Sequence, residues 1–189
     1  MQAPSQPSGF TLFETLIAIS VGATLFGLVL GIYVLTLRTL SDNQDRSELT
    51  GESRSVMERA ARDIRETRRI ATALPETPDE PGNPPPSELE LEDGHAAVLQ
   101  YIRYYQDGTD LKRQIRQYSF PAEPEVLVPF DAEDDFGNPA TVSVVSDAVI
   151  GQFVESIGYY GLNPVSVLLT LRKGSITNVS RTSLYGRNR

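Results

Sequence analysis

The sequence predicts an α+β fold in which one long N-terminal helix packs on an antiparallel β-sheet domain. Three observations carry this. Residues 15–37 contain no Asp, Glu, Lys, Arg or His, residues 41–73 keep a helical period while turning polar, and beyond a proline-rich stretch the apolar period shifts towards two.

The first element is a membrane-length helix. Its 23 uncharged residues, at about 1.5 Å each, give about 34 Å, enough to cross a bilayer. Glu14 stands at its start. An acid deep in lipid costs on the order of 2.5–3.5 kcal/mol, less near the interface, so its presence asks for a partner. A cut after Gly9 would create an amine on Phe10 about one helical turn from Glu14. That amine is charged at neutral pH. The same pair formed between two chains would set a fixed axial stagger between parallel helices. Further along, Ala23, Gly27 and Gly31 recur at intervals of four, placing small residues on one face where another helix can approach closely.

The second element, residues 41–73, places Leu49, Val56, Met57, Ala60, Ile64 and Ala71 mainly on one side. Its charged residues, Asp63 among them, read chiefly as a solvated face with some opposite-charge pairs at helical spacing. Ser41 or Asp42 is a candidate cap. Gly51, costing roughly 0.5–1 kcal/mol against alanine, marks an expected kink or local break. Residues 75–86 hold six prolines, which neither continue a helix nor join a central strand. The expected organisation is therefore 1–9 leader, 10–40 membrane helix, 41–73 amphipathic helix, 74–88 loop and 89–189 β-rich part.

In that last part the strand candidates are 89–91, 97–104, 111–120, 125–128, 141–145, 149–160, 165–171 and 175–184, with turns at Gln106-Asp107-Gly108-Thr109-Asp110 and Lys173-Gly174. Tyr101, Tyr104, Tyr105, Tyr159 and Tyr160 fit sheet packing better than a stacking platform, since their surroundings are not basic.

Composition narrows the function classes. About 150 residues beyond Leu40 suffice for one domain with its own core. With 17 basic against 25 acidic residues, nucleic acid is not an expected partner. The absence of cysteine excludes disulfides and thiolate metal sites. No nucleophile elbow, P-loop or His-Glu-x-x-His pattern occurs, and the single histidine, His95, lies in a turn-like stretch. The expectation is a protein that is not an enzyme and holds no cofactor. Asp131, Glu133, Asp134 and Asp135 offer oxygen ligands of the kind calcium takes, but Gly137 and Val142 depart from EF-hand spacing, which leaves a solvated acidic loop as the leading reading. Asn178-Val179-Ser180 matches a glycosylation sequon, a pattern short enough to arise by chance.

The run Gly9, Phe10-Thr11-Leu12, Glu14 and a long apolar helix resembles the type IV prepilin and type II secretion pseudopilin signature. The resemblance implies a pilin-like fold, cleavage between Gly9 and Phe10 by a prepilin peptidase, N-methylation of Phe10, and assembly with Glu14 setting register. The order of features beyond the helix resembles a J-type minor pseudopilin, on Met57-Glu58-Arg59-Ala60-Ala61-Arg62-Asp63-Ile64-Arg65, Gln100-Tyr101, Leu111-Lys112-Arg113 and residues 164–171. The implied partners are other minor and major pseudopilins or pilins and an inner-membrane assembly platform, in a short periplasmic fibre driven by a cytoplasmic ATPase. The implied location is the bacterial inner membrane, single-pass, with the C-terminal domain in the periplasm. Residues 1–9 hold no Lys or Arg, so this orientation follows from the resemblance and not from the positive-inside rule.

Other readings of the apolar helix are a secretory signal peptide and an uncleaved anchor. The first fails for want of a basic n-region, a short apolar run and a small-x-small site. The second leaves Glu14 unexplained. The remaining alternatives to a secretion pseudopilin are a minor pilin of a type IV pilus or DNA-uptake system, and a singly anchored extracytoplasmic binding domain that never polymerises.

Overall fold

The computed structural model describes residues 11–186. A single helix, α1 (Leu12–Glu66), is followed by eight strands. The chain divides into two compact units between Gln44 and Asp45.

In the first unit α1 is long and apolar enough to cross a membrane. Its large side chains, from Leu12 through Phe26 and Ile32 to Leu40, are exposed, so nothing in the described chain covers them. The hydroxyls along it are satisfied internally. Ser20 Oγ donates to the Leu16 carbonyl at 2.8 Å, Thr24 Oγ1 to Ser20 at 2.9 Å and Thr36 Oγ1 to Ile32 at 2.9 Å. Hydrocarbon surroundings demand that closure, because no water is there to replace it.

The helix runs without interruption through Ser41, Asp42 and Gly51. The expected cap has no function where the backbone ladder is unbroken, and the expected break at Gly51 does not occur. Leu49 and Ser53 on either side are buried, and burial of these anchors outweighs a propensity cost of about 1 kcal/mol.

In the second unit α1 buries Leu49, Ser53, Val56, Ala60 and Ile64, steps of three and four that make one face. The helix ends at Glu66, short of the expected residue 73. There Thr67 Oγ1 donates to the carbonyls of Arg69 and Glu92 at 2.9 and 2.8 Å. Beyond it the backbone runs along β1 (Leu89–Glu92): the Ala71 N–H donates to the Glu90 carbonyl and the Glu92 N–H to the Arg69 carbonyl, each at 2.8 Å. These sheet-type bonds replace the helical ones. Gly94 passes directly over the helix end, where an added Cβ would lie 1.7 Å from the Glu66 carbonyl oxygen. Only glycine fits that approach.

The remaining strands are β2 (Tyr101–Asp107), β3 (Asp110–Phe120), β4 (Glu123–Leu127), β5 (Thr141–Gly151), β6 (Val154–Tyr160), β7 (Val165–Lys173) and β8 (Ile176–Leu184). They form two antiparallel sheets where the sequence suggested one. The first has the order β1-β2-β3-β4 with β5 also paired to β3; the second is β6-β7-β8. The β2–β3 turn is tighter than expected, with Asp107 opposite Asp110 and Gly108 at φ 62°. The second turn, at Lys173-Gly174, lies where the sequence put it, Gly174 having φ 59°.

The run 149–160, read from the sequence as one strand, is split between β5 and β6. Phe153 has φ 61° there, and Glu52 Oε1 of the helix accepts the Gln152 N–H at 2.8 Å. A Cβ on Gly151 would come within 2.6 Å of Val56 Cγ2. Contact with the helix thus coincides with the divide between the sheets. Leu89, Leu91, Ile102, Tyr104 and Leu111 of one sheet and Val154, Val167, Leu169 and Leu171 of the other join the buried helix face in one core. Tyr101, Tyr104, Tyr159 and Tyr160 are buried, as the packing reading expected. Tyr105 lies at the surface under the Arg103 guanidinium, 4.4 Å from its ring centre.

Candidate functional site

The start of α1 is built as a capping box. The Thr11 N–H and Thr11 Oγ1 donate to Glu14 Oε2 at 2.9 and 3.0 Å, and the Glu14 N–H returns a bond to Thr11 Oγ1 at 3.3 Å. The reciprocal pair satisfies two donors that a helix start otherwise leaves open. The sequence reading assigned Glu14 wholly to an amine partner and missed this local role. Its signal was present, since Thr-x-x-Glu before an apolar run is a capping-box pattern. Both bonds fall on one carboxylate oxygen. Oε1 has no partner among the described residues and remains able to accept from a cation. Gly9 and Phe10, the expected cleavage and methylation positions, lie outside the described residues.

Along the same helix, a Cβ on Gly27 or Gly31 would meet nothing within 4 Å. Among the described residues no packing calls for glycine at these positions. The face formed with Ala23 is open to the close approach of another helix.

The charged face of the second helical half does more than meet solvent. Asp63 Oδ2 accepts from Tyr104 Oη at 2.5 Å and from Arg113 Nε at 2.8 Å, tying the helix to β2 and β3. Burial, together with the charge and hydrogen bond of Asp63, pushes the Tyr104 hydroxyl well above its ordinary value. Burial works against the Arg113 charge, yet Asp63 keeps that guanidinium firmly protonated. Lys173 Nζ lies 2.9 Å from Asp45 and 2.5 Å from Glu48, and 5.1 Å from the Phe153 ring centre. These contacts fasten the β7–β8 hairpin to the first turns of the helix in this unit. Its pKa is raised, chiefly by the hydrogen bond to Glu48.

The acidic run does not converge on a common point. Asp131 pairs with Arg69 Nη2 at 2.7 Å, which holds its carboxyl below the usual range. Asp134 accepts from Asn138 Nδ2 at 2.9 Å and from the Phe136 and Asn138 N–H groups. It closes its own loop. Among the described residues no group of three or more His, Asp or Glu is placed to hold a metal ion. His95 is exposed, with Nδ1 3.3 Å from Glu66 at the helix end. Of the sequon, Ser180 is engaged with Ser53 and Asn178 at 2.6 and 3.0 Å.

No protein-family model matches the chain, and neither a curated protein nor a solved structure matches it. The functional reading therefore rests on the chemistry of these residues.

Proposed function

We propose that the chain is a minor subunit of a pilus-like fibre, of the pseudopilin kind that resembles the J type, with a pilin-like fold and no enzymatic activity of its own. A prepilin peptidase cuts between Gly9 and Phe10 and methylates the new amine. The mature helix then moves from the inner membrane into a bundle of sister helices, meeting other pseudopilins at a periplasmic fibre tip. The supporting observation is the join of Gly9, Phe10 and Glu14 to an apolar helix half whose side chains nothing in the described chain covers. Outside the bilayer, apolar surface that would otherwise meet water gains about 25 cal/mol per Å² when it is buried against neighbouring helices. In that setting Glu14 keeps Oε2 on Thr11 and offers Oε1 to the amine of the next subunit.

Substitution tests the assignment. Glu14→Ala is expected to insert in the membrane at the normal level and to be lost from sheared fibres. Thr11→Val, which removes the cap hydroxyl and keeps the carboxylate, is expected to assemble despite a helix weakened by about 1 kcal/mol. Equal loss with both variants would reduce Glu14 to a cap, and normal incorporation of Glu14→Ala would leave the anchored, non-polymerising domain as the better reading.

A further inference from the structure

We infer that the free edge of β5 is a docking strand for a partner protein, taking an extended segment of alternating apolar and polar side chains that ends in cations. The proposal goes beyond fibre assembly and holds whether or not the chain polymerises. β5 is eleven residues long and pairs with β3 alone. Among the described residues no other backbone group bonds along its outer side. An open edge is a template for pairing, and proteins blunt such edges with Lys, Pro or a covering segment. The edges of β1, β6 and β4 are treated in that way. Residues 69–72 bond along β1, the Pro86 carbonyl accepts the Tyr159 N–H of β6 at 3.2 Å, and β4 carries Pro124.

β5 has no Lys and no Pro. Its one charge, Asp147, is held over the sheet by Tyr105 Oη at 2.7 Å and Gln114 Nε2 at 3.0 Å. Two register shifts against β3 bend the strand, but residues 141–144 and 146–149 pair regularly. Val142, Val144, Val145 and Val149 are 44, 53, 56 and 48 % exposed. An added strand would cover them.

The chemistry at the Thr141 end specifies the occupant. A groove of about 600 Å³ lies there, bordered by Phe120, Glu123, Glu133, Asp135 and Phe136, the last 89 % exposed. Glu123, Glu133 and Asp135 pair with no cation among the described residues. A second copy of a chain with net charge −8 would bring more acid to this groove, whereas a segment carrying cations neutralises it. Antiparallel pairing, the pattern of this whole sheet, puts the partner's C-terminal end at Thr141, so its cations belong at that end.

The test uses the full chain in neutral detergent and an acetylated, amidated peptide of alternating threonine and valine that closes on Lys-Arg-Lys. Amide hydrogen exchange read by mass spectrometry is expected to slow in residues 141–151 and to stay unchanged in residues 176–184. Replacing the closing cations by glutamates, or making Glu123→Gln with Glu133→Gln in the protein, should weaken that protection about tenfold. Three results would overturn the proposal: no slowing in 141–151, equal slowing by the cationic and acidic peptides, or slowing that grows with protein concentration alone, which would seat a second copy on the edge.

Discussion

Between Leu12 and Leu40 the helix exposes its large apolar side chains, whereas between Asp45 and Glu66 the same helix buries Leu49, Val56, Ala60 and Ile64. The first part is apolar all round and the second is apolar on one face. An amphipathic helix finds its partner inside its own chain, and here that partner is a core drawn from two sheets. A helix apolar on every side has no such solution, so its surroundings must come from lipid or from other chains. Continuity of secondary structure therefore says little about continuity of role.

Truncating one apolar residue in each half tests this contrast with the largest expected effect. Ile64→Ala should lower the unfolding free energy of the globular unit by about 2–5 kcal/mol, the range for a buried large-to-small change. Leu28→Ala, 60 % exposed in the chain, should leave it unchanged in denaturant titration. Equal losses would mean that the two halves are not energetically separate.

Asp63→Ala should cost about 3 kcal/mol, because it strands the half-buried Arg113 guanidinium and the Tyr104 hydroxyl. Substituting Arg54, whose i,i+4 pair with Glu58 is exposed on both sides, should leave the melting temperature unchanged, because solvent screens such a pair. Thermal melts of the two variants compare an ion pair inside the packing with one on the solvent face.

The smallest effect concerns pH. Burial first, then the hydrogen bond to Glu90, pushes the Tyr118 hydroxyl from 10.0 up to about 12. A folded pKa raised above the unfolded one contributes stability that is fully present below pH 10 and is lost as pH climbs towards 12. Ultraviolet titration should therefore place Tyr118 among the late-ionising tyrosines, and Tyr118→Phe should remove one tyrosine's worth of absorbance change from that window.

How much of this was legible from the residues depends on the reach of the forces involved. The apolar span, the amphipathic face and most strands follow from local periodicity, and they lie close to where periodicity puts them. The end of the helix did not, because Thr67 and residues 69–72 are captured by β1, which lies beyond the proline-rich loop in sequence. The division of 149–160 escaped for the same reason: Glu52 and Val56, about a hundred residues earlier, meet the chain at Gln152 and Gly151. Gly51 shows the converse, a weak local preference overridden by buried neighbours. At the N-terminal site the unusual position of Glu14 was visible at once, but its bonds to Thr11 were not weighed. Asp131, Glu133, Asp134 and Asp135 lie close in sequence without sharing a ligand point, since each side chain takes its own partner or faces outward.

The central claim is that proteolysis creates the amine that Glu14 meets in a neighbouring subunit. Intact mass spectrometry of the chain recovered from native membranes tests this most directly. The account predicts a species lacking residues 1–9 and carrying one added methyl group on Phe10. A mass corresponding to the uncut chain, with Met1 still in place, would contradict it.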